Sequence, residues 1–163
     1  MFLDSAIVYG HGTDNAWDEA VYLVTSLSGF PDSEQSIALE VSQEIERKII
    51  DYAERRIEER IPLAYLLGFC QYAGHRFSIK EGVVIPRSPI GLLVSEGHLK
   101  SLVGEGVRRI LDLCTGSGCL GILAAHDYPE AEVVLVDKEP LAVDLAKKNL
   151  QELSLIHISE PTR

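Results

Sequence analysis

The chain is short of several things, and each shortage narrows what it can do. Cysteine is scarce: Cys70, Cys114 and Cys119 stand in no zinc or redox spacing, which argues against a disulfide scaffold or a cysteine metal site. Their apolar or small neighbours read as small buried thiols of a reducing compartment. Basic residues are outnumbered, 15 Lys and Arg against 25 Asp and Glu, for a net charge of −10 and a pI of about 4.9. Such a chain does not take a phosphate backbone as its main partner, although a negative surface still steers a positive protein towards it. Long apolar runs are missing as well. The best of them, from Ile61 to Cys70, is broken by Pro62 and Gly68 and cannot span a bilayer. Met1 to Val8 lacks the basic start of a secretory signal. With 13 Gly and 7 Pro the chain is neither collagenous nor of low complexity, and no internal repeat is visible. What is left, 46% apolar and 25% charged over 163 residues, is a globular composition sized for one domain or a small domain plus part of a larger one. The expectation is a cytoplasmic protein with no membrane and no direct nucleic-acid contact.

The first half reads helical. Asn15 or Asp14 can cap a helix running through Trp17, Val21 and Val24, ended by Gly29 and Pro31. Val41, Ile45, Ile49, Ala53 and Ile57 repeat at four-residue spacing along a second helix. Its charged residues, Arg55 and Arg56 among them, read as a solvated face. Tyr65–Tyr72 and His75–Ile85 suggest two extended segments joined at Ala73-Gly74, the second stopped by Pro86. Ser88-Pro89 opens a further helix with Ile90, Leu93 and Val94 on its apolar face. A strand-helix-strand alternation follows: Arg109–Leu113, Gly118–His126, Glu132–Val136. A last helix starts at Pro140 and carries Ala142, Ala146 and Leu150 in one stripe beside Leu141 and Leu145. This spans about the 30 residues of one βαβ unit. The helical and α/β parts divide near Ser101–Val107.

The chemistry lies in Ile110-Leu111-Asp112-Leu113-Cys114-Thr115-Gly116-Ser117-Gly118-Cys119-Leu120-Gly121. A strand delivers the chain to a turn whose glycines carry no Cβ to block a ligand, and the helix beyond presents free N–H groups. Asp137 ends the next strand 21 residues after Gly116, where a carboxylate can accept both hydroxyls of a ribose. These parts describe an adenosine-containing ligand. Gly116-x-Gly118-x-x-Gly121 satisfies the dinucleotide fingerprint, so an NAD-binding oxidoreductase is one reading. Asp112, four residues before Gly116, suits a cationic amino group, which S-adenosylmethionine has. A non-enzymatic helical adaptor, with a plain glycine turn, is the third reading.

The run Asp112-Leu113-Cys114-Thr115-Gly116-Ser117-Gly118 with Val136-Asp137 resembles the cofactor loop of class I S-adenosylmethionine methyltransferases. Arg60-Ile61-Pro62-x-Ala64-Tyr65-Leu66 and Ile85-Pro86-Arg87 resemble the protein-glutamine methyltransferase family (HemK and PrmB). Arg87-Ser88-Pro89-Ile90-Gly91, Tyr9-Gly10-His11-Gly12-Thr13-Asp14-Asn15 and Trp17-Asp18-Glu19-Ala20 match its PrmB branch. That branch methylates a glutamine amide of large-subunit ribosomal protein three. The resemblance implies an α/β fold: an N-terminal helical module (1–60), a linker hairpin and helix (61–103), and the first part of a Rossmann-like class I domain with an incomplete parallel sheet (104–152). It also implies that Cys114, Thr115, Gly116, Ser117 and Gly118 line the methionine part of the cofactor and that Asp137 holds the ribose. Gly121 allows close helix–strand packing. Arg87 is either near the substrate mouth or a hydrogen-bonding brace for the hairpin. His11, between glycines and beside the capping Asp14 and Asn15, belongs to a structural turn rather than to catalysis. Leu92 departs from the branch, which usually has an acid there.

The family positions its substrate amide with an Asn-Pro-Pro-Tyr loop, and this chain contains none. Residues 153–163 do not continue the preceding helix pattern and look like an in-frame translation of a sequencing adapter. They are read as non-native, the alternative being a native tail with a short strand at Leu155–Ile158. Met1 could equally be an internal methionine. The expectation is a fragment that lacks catalytic activity, with the far edge of its first sheet strand unpaired and prone to aggregation.

Overall fold

The computed structural model describes residues 1–4, 7–10 and 12–153. His11 and the segment after Leu153 lie outside them. The chain divides into two compact units, Met1–Leu67 and a second beginning at Gly68, so the division does not fall near Ser101–Val107 as the sequence suggests. The residues after Gly68 bond into the α/β part, Ser78 to Asn149 among them.

The first unit is helical. A 3-10 turn at Phe2–Asp4 precedes α1 (Ala16–Ser28), and another at Glu34–Ala38 separates it from α2 (Gln43–Glu58). Asn15 caps α1 by accepting from the amides of Trp17 and Asp18, and Gly29 closes it in the left-handed conformation, so both ends form as the sequence predicts. Helix α2 starts later than the apolar spacing suggests: Ser42 caps it through Ile45 N and leaves Val41 outside. Leu23, Ala53 and Leu63 build the core with Phe2, Ile7 and Ala16. Arg56 corrects the solvated-face reading, being 4% exposed and paired with Glu19, itself 2% exposed. Each member of the pair has a further partner. Arg56 also donates to the Val8 carbonyl at 2.9 Å, and Thr13 Oγ1 donates to Glu19 at 3.3 Å.

A further correction falls at residues 65–67. Leu63–Leu67 form a short helix, α3, which takes Tyr65–Leu67 out of the extended segment expected over Tyr65–Tyr72. An apolar stretch this short carries too little periodicity to separate the two states. The hairpin proper is β1 (Phe69–Tyr72) and β2 (His75–Ser78), antiparallel, with Tyr72 opposite His75. The chain beyond Ser78 is not strand, although Ile79, Val83 and Ile85 are buried.

Ser88 caps α4 (Pro89–Ser95) through Ile90 N, with Pro89 in the first turn. Only Gly91 and Val94 of this helix are buried; Ile90 and Leu93 are exposed, so its apolar face is narrower than the sequence implies. Helix α5 (His98–Val103), which the sequence reading did not anticipate, follows. Strand β3 (Arg109–Leu113) pairs in parallel with β4 (Glu132–Val136), Leu111 opposite Val134 and Leu113 opposite Val136. The crossover between them is α6 (Cys119–Asp127), and α7 (Pro140–Glu152) follows β4. Ile122, Val133, Leu135 and Ala146 pack this part with essentially no exposure. Among the described residues β3 has no partner besides β4, and Leu111 and Leu113 stand 64% and 67% exposed.

Candidate functional site

The loop between β3 and α6 is built from its own residues outward. Cys114 leaves β3 with a φ of 60°, and Gly116 and Gly118 follow at 57° and 82°. Three such residues in five fold the backbone into a compact turn that ends on the first amides of α6. Thr115 is fastened twice, by its amide on the Val136 carbonyl at 3.0 Å and by its hydroxyl on Asp112 Oδ2 at 2.6 Å.

Two carboxylates flank the loop. Asp112 Oδ2 also accepts from the Gly121 amide at 2.9 Å, which ties β3 to α6, and Oδ1 has no hydrogen-bond partner among the described residues. Asp137 Oδ2 accepts from the Gly116 amide at 2.9 Å and Oδ1 from the Glu139 amide at 3.0 Å. Burial alone would raise the Asp137 pKa, but the amides of Glu139, Gly116 and Lys138 hold it below the ordinary value of 3.8. The side chain therefore stays charged through the neutral range.

Gly121 is explained by packing. A Cβ there would land on Leu135 Cδ2 and stand 3.0 Å from Asp112 Oδ2, so only glycine lets α6 lie this close to the sheet. Cys114 corrects the buried-thiol reading: it is exposed, while Cys70 and Cys119 are buried. It sits at the left-handed turn where β3 has ended and no strand neighbour covers it. Burial pushes the Cys70 thiol up to about 12 and the Cys119 thiol to about 11. Arg87 is exposed and makes no hydrogen bond among the described residues, so it does not brace the hairpin. That part falls to Tyr72, whose hydroxyl donates to the Ser88 carbonyl at 2.6 Å and accepts from the Gly91 amide at 3.0 Å. Leu92 is exposed. The structure thus gathers Asp112, Thr115, Gly116, Ser117, Gly118 and Asp137 around one turn, with Cys114 on its rim. Sequence reading missed Asn149, a fully buried amide of α7 that reaches the Ser117 carbonyl at 2.8 Å. Its one signal is a polar residue beside an apolar helical stripe.

Residues 94–159 match the family described as "Methyltransferase small domain", a stretch that covers the loop and Asp137 and runs into the segment read as non-native. A ribosomal protein uL3 glutamine methyltransferase of Bordetella pertussis is 44% identical over 155 residues, covering 91% of this chain and 51% of its own length. One of the same name from Burkholderia pseudomallei is 41% identical over 158 residues, covering 94% and 51%. The chain resembles the uL3 glutamine methyltransferases along nine tenths of its length. It spans about half the length of these curated relatives. Among solved structures, the N-terminal domain of human METTL16 aligns with a TM-score of 0.46 and 15% identity, over 98% of this chain and 60% of that one. The resemblance read from the motifs is borne out, and so is the α/β fold class. The helical unit is followed by a parallel strand-helix-strand segment, two strands wide among the described residues, within the stretch that matches the methyltransferase model.

Proposed function

We propose that this chain carries the cofactor-binding start of an S-adenosylmethionine-dependent protein glutamine methyltransferase whose substrate is a large-subunit ribosomal protein. One observation carries the reading: the 115–118 backbone is held between two carboxylates, and the one at the end of β4 stays charged. The residues fit such a cofactor. Asp137 Oδ2 accepts from Gly116 and Oδ1 from Glu139, and the carboxylate, with about four acceptor sites against three neighbouring amides, is still able to accept a ribose hydroxyl. Asp112 Oδ1 is available for a cationic amino group, while Oδ2 holds Thr115 and α6 in place. Cys114, Thr115, Gly116, Ser117 and Gly118 supply the wall against which the methionine part lies.

When bound, the cofactor supplies an electrophilic methyl group on a sulfonium. The work of these residues is placement, since the loop is already fixed before a ligand arrives. An amide nitrogen is a poor nucleophile because its lone pair is shared with the carbonyl, so transfer needs groups that aim it. The Asn-Pro-Pro-Tyr sequence that does this in the family is not among the 163 residues. On this reading the chain by itself binds the cofactor without turning it over, and the enzyme it represents is cytoplasmic.

The test is calorimetry with S-adenosylhomocysteine and with NAD. S-adenosylhomocysteine should bind, and Asp137→Ala should weaken it by about 1–3 kcal/mol, the cost of hydrogen bonds lost to a charged group. Because the Asp137 pKa is lowered on folding, its stabilising contribution is present above 3.8 and is lost as pH falls through the lower folded value. Affinity should accordingly be flat from pH 7.5 to about 5. Clean binding of NAD with no heat from S-adenosylhomocysteine would sink the reading. Unaltered binding of S-adenosylhomocysteine by Asp137→Ala would remove Asp137 from it.

A further inference from the structure

Asn149 lies in the third turn of α7 with no exposed surface, and its amide is fully engaged. Oδ1 accepts from the Ser78 amide at 2.7 Å. Nδ2 donates to the Ser78 carbonyl at 3.0 Å and to the Ser117 carbonyl at 2.8 Å. One side chain therefore satisfies both backbone groups of the last residue of β2 and a carbonyl of the loop, across 71 and 32 positions of sequence. One turn earlier, Ala146 lies against the same loop, where a Cβ on Gly118 would stand 3.0 Å from its own Cβ.

The Ser117 carbonyl and the Gly118 amide are the two ends of a single planar peptide group. Asn149 Nδ2 holds its oxygen, and its N–H donates to the Thr115 carbonyl at 2.9 Å. A peptide followed by a left-handed glycine is easy to turn over, because glycine tolerates either sign of φ. The bond from Asn149 removes that freedom. We propose that Asn149 is a positioning residue: its buried amide locks the Ser117–Gly118 peptide and so sets the orientation of the loop before ligand binds. The link to Ser78 ties that setting to the hairpin. The proposal rests on the loop being a cofactor site, and its test separates the two.

Asn149→Asp keeps the shape and the acceptor for Ser78 but turns a carboxylate towards two carbonyls at neutral pH. Once protonated, it regains one donor. Asn149→Leu removes both. Leu150→Ala, the next residue of the same helix, serves as a destabilised control. Glu152, which accepts from Ser78 Oγ at 2.8 Å, is common to all. Two readouts are taken, S-adenosylhomocysteine affinity by calorimetry and hydrogen exchange of the Gly118 amide without ligand. Both Asn149 variants should bind at least tenfold more weakly than the unmodified chain and exchange Gly118 at least tenfold faster, with Leu150→Ala near the unmodified chain in both. Asn149→Asp should recover part of its affinity between pH 7.5 and 5.5, which a purely structural defect would not do. If the unmodified chain shows no binding, the cofactor reading fails, and Gly118 exchange still decides for or against the lock. Exchange and affinity within twofold of the unmodified chain overturn it. So does a loss matched by Leu150→Ala, or failure of both Asn149 variants to fold, since the amide would then hold the whole unit and not the loop.

Discussion

The two units solve the burial of polar groups in opposite ways. In the helical unit the buried polar chemistry is one ion pair, Glu19 with Arg56, closed off by the Val8 carbonyl and the Thr13 hydroxyl. In the unit that starts at Gly68 the buried polar side chains described are neutral, Ser78, Thr115, Ser117 and Asn149, and the half-buried Asp112 and Asp137 beside them accept from backbone amides. The first arrangement holds helix to helix. The second holds a loop, with Asp137 bonded to the Gly116 and Glu139 amides. Charge follows the same division: residues 1–67 carry 13 of the 25 acids but only 5 of the 15 bases, so eight of the ten net negative charges sit in the helical unit. Charged packing and loop-holding side chains are thus segregated along the chain.

The comparison breaks most visibly at the ion pair. Arg56→Ala leaves the Glu19 carboxylate buried without its partner, which costs about 3–5 kcal/mol in comparable sites. Amide exchange in α1 and α2 should accelerate accordingly, while S-adenosylhomocysteine affinity stays within twofold. A large loss of affinity with intact helices would show that the pair serves the site and that the division drawn here is wrong. The double replacement Glu19→Leu with Arg56→Met should recover much of the loss, because the pair then disappears together.

Next in size is Gly121→Ala. The new methyl collides with Leu135 and crowds Asp112, and overpacking of this kind costs about 1–3 kcal/mol. Asp112 is the shared acceptor for Thr115 and Gly121, so cofactor affinity should fall together with the urea midpoint. An unchanged affinity at reduced stability would mean that Asp112 does not transmit packing to the loop.

These two sites also mark how far the sequence could be read. Strands β3 and β4, the glycine loop, Asp137 and the caps at Asn15, Gly29 and Ser88 are written in neighbouring residues, through alternation, turn glycines and capping oxygens, and they stand where the sequence puts them. Arg56 and Asn149 are not legible in that way. Each is buried by a partner far off in sequence, 37 residues for Arg56 and 71 for Asn149, and locally each looks like an ordinary polar residue of a helix. Tyr65–Leu67, expected extended, are helical for a different reason: a stretch this short fits a strand or one helical turn equally well. Ile90 and Leu93 carry the right spacing for a core face, yet α4 buries only Gly91 and Val94.

The smallest effect sharpens the contrast within the second unit, which holds all three cysteines. Only a thiolate alkylates, and burial pushes Cys70 up to about 12 and Cys119 to about 11, so both remain protonated at pH 8 and shielded as well. Cys114 is exposed on the loop rim. Iodoacetamide at pH 8 should therefore modify Cys114 first, leaving the other two until the protein is unfolded, as read by peptide mass. Saturating S-adenosylhomocysteine should slow the modification of Cys114 several-fold if that residue borders the ligand. Equal labelling of all three would contradict the packing around β1 and α6. Labelling of Cys114 that ignores the ligand would move it off the site while leaving Asp137 and the locked peptide in place, because neither depends on its side chain.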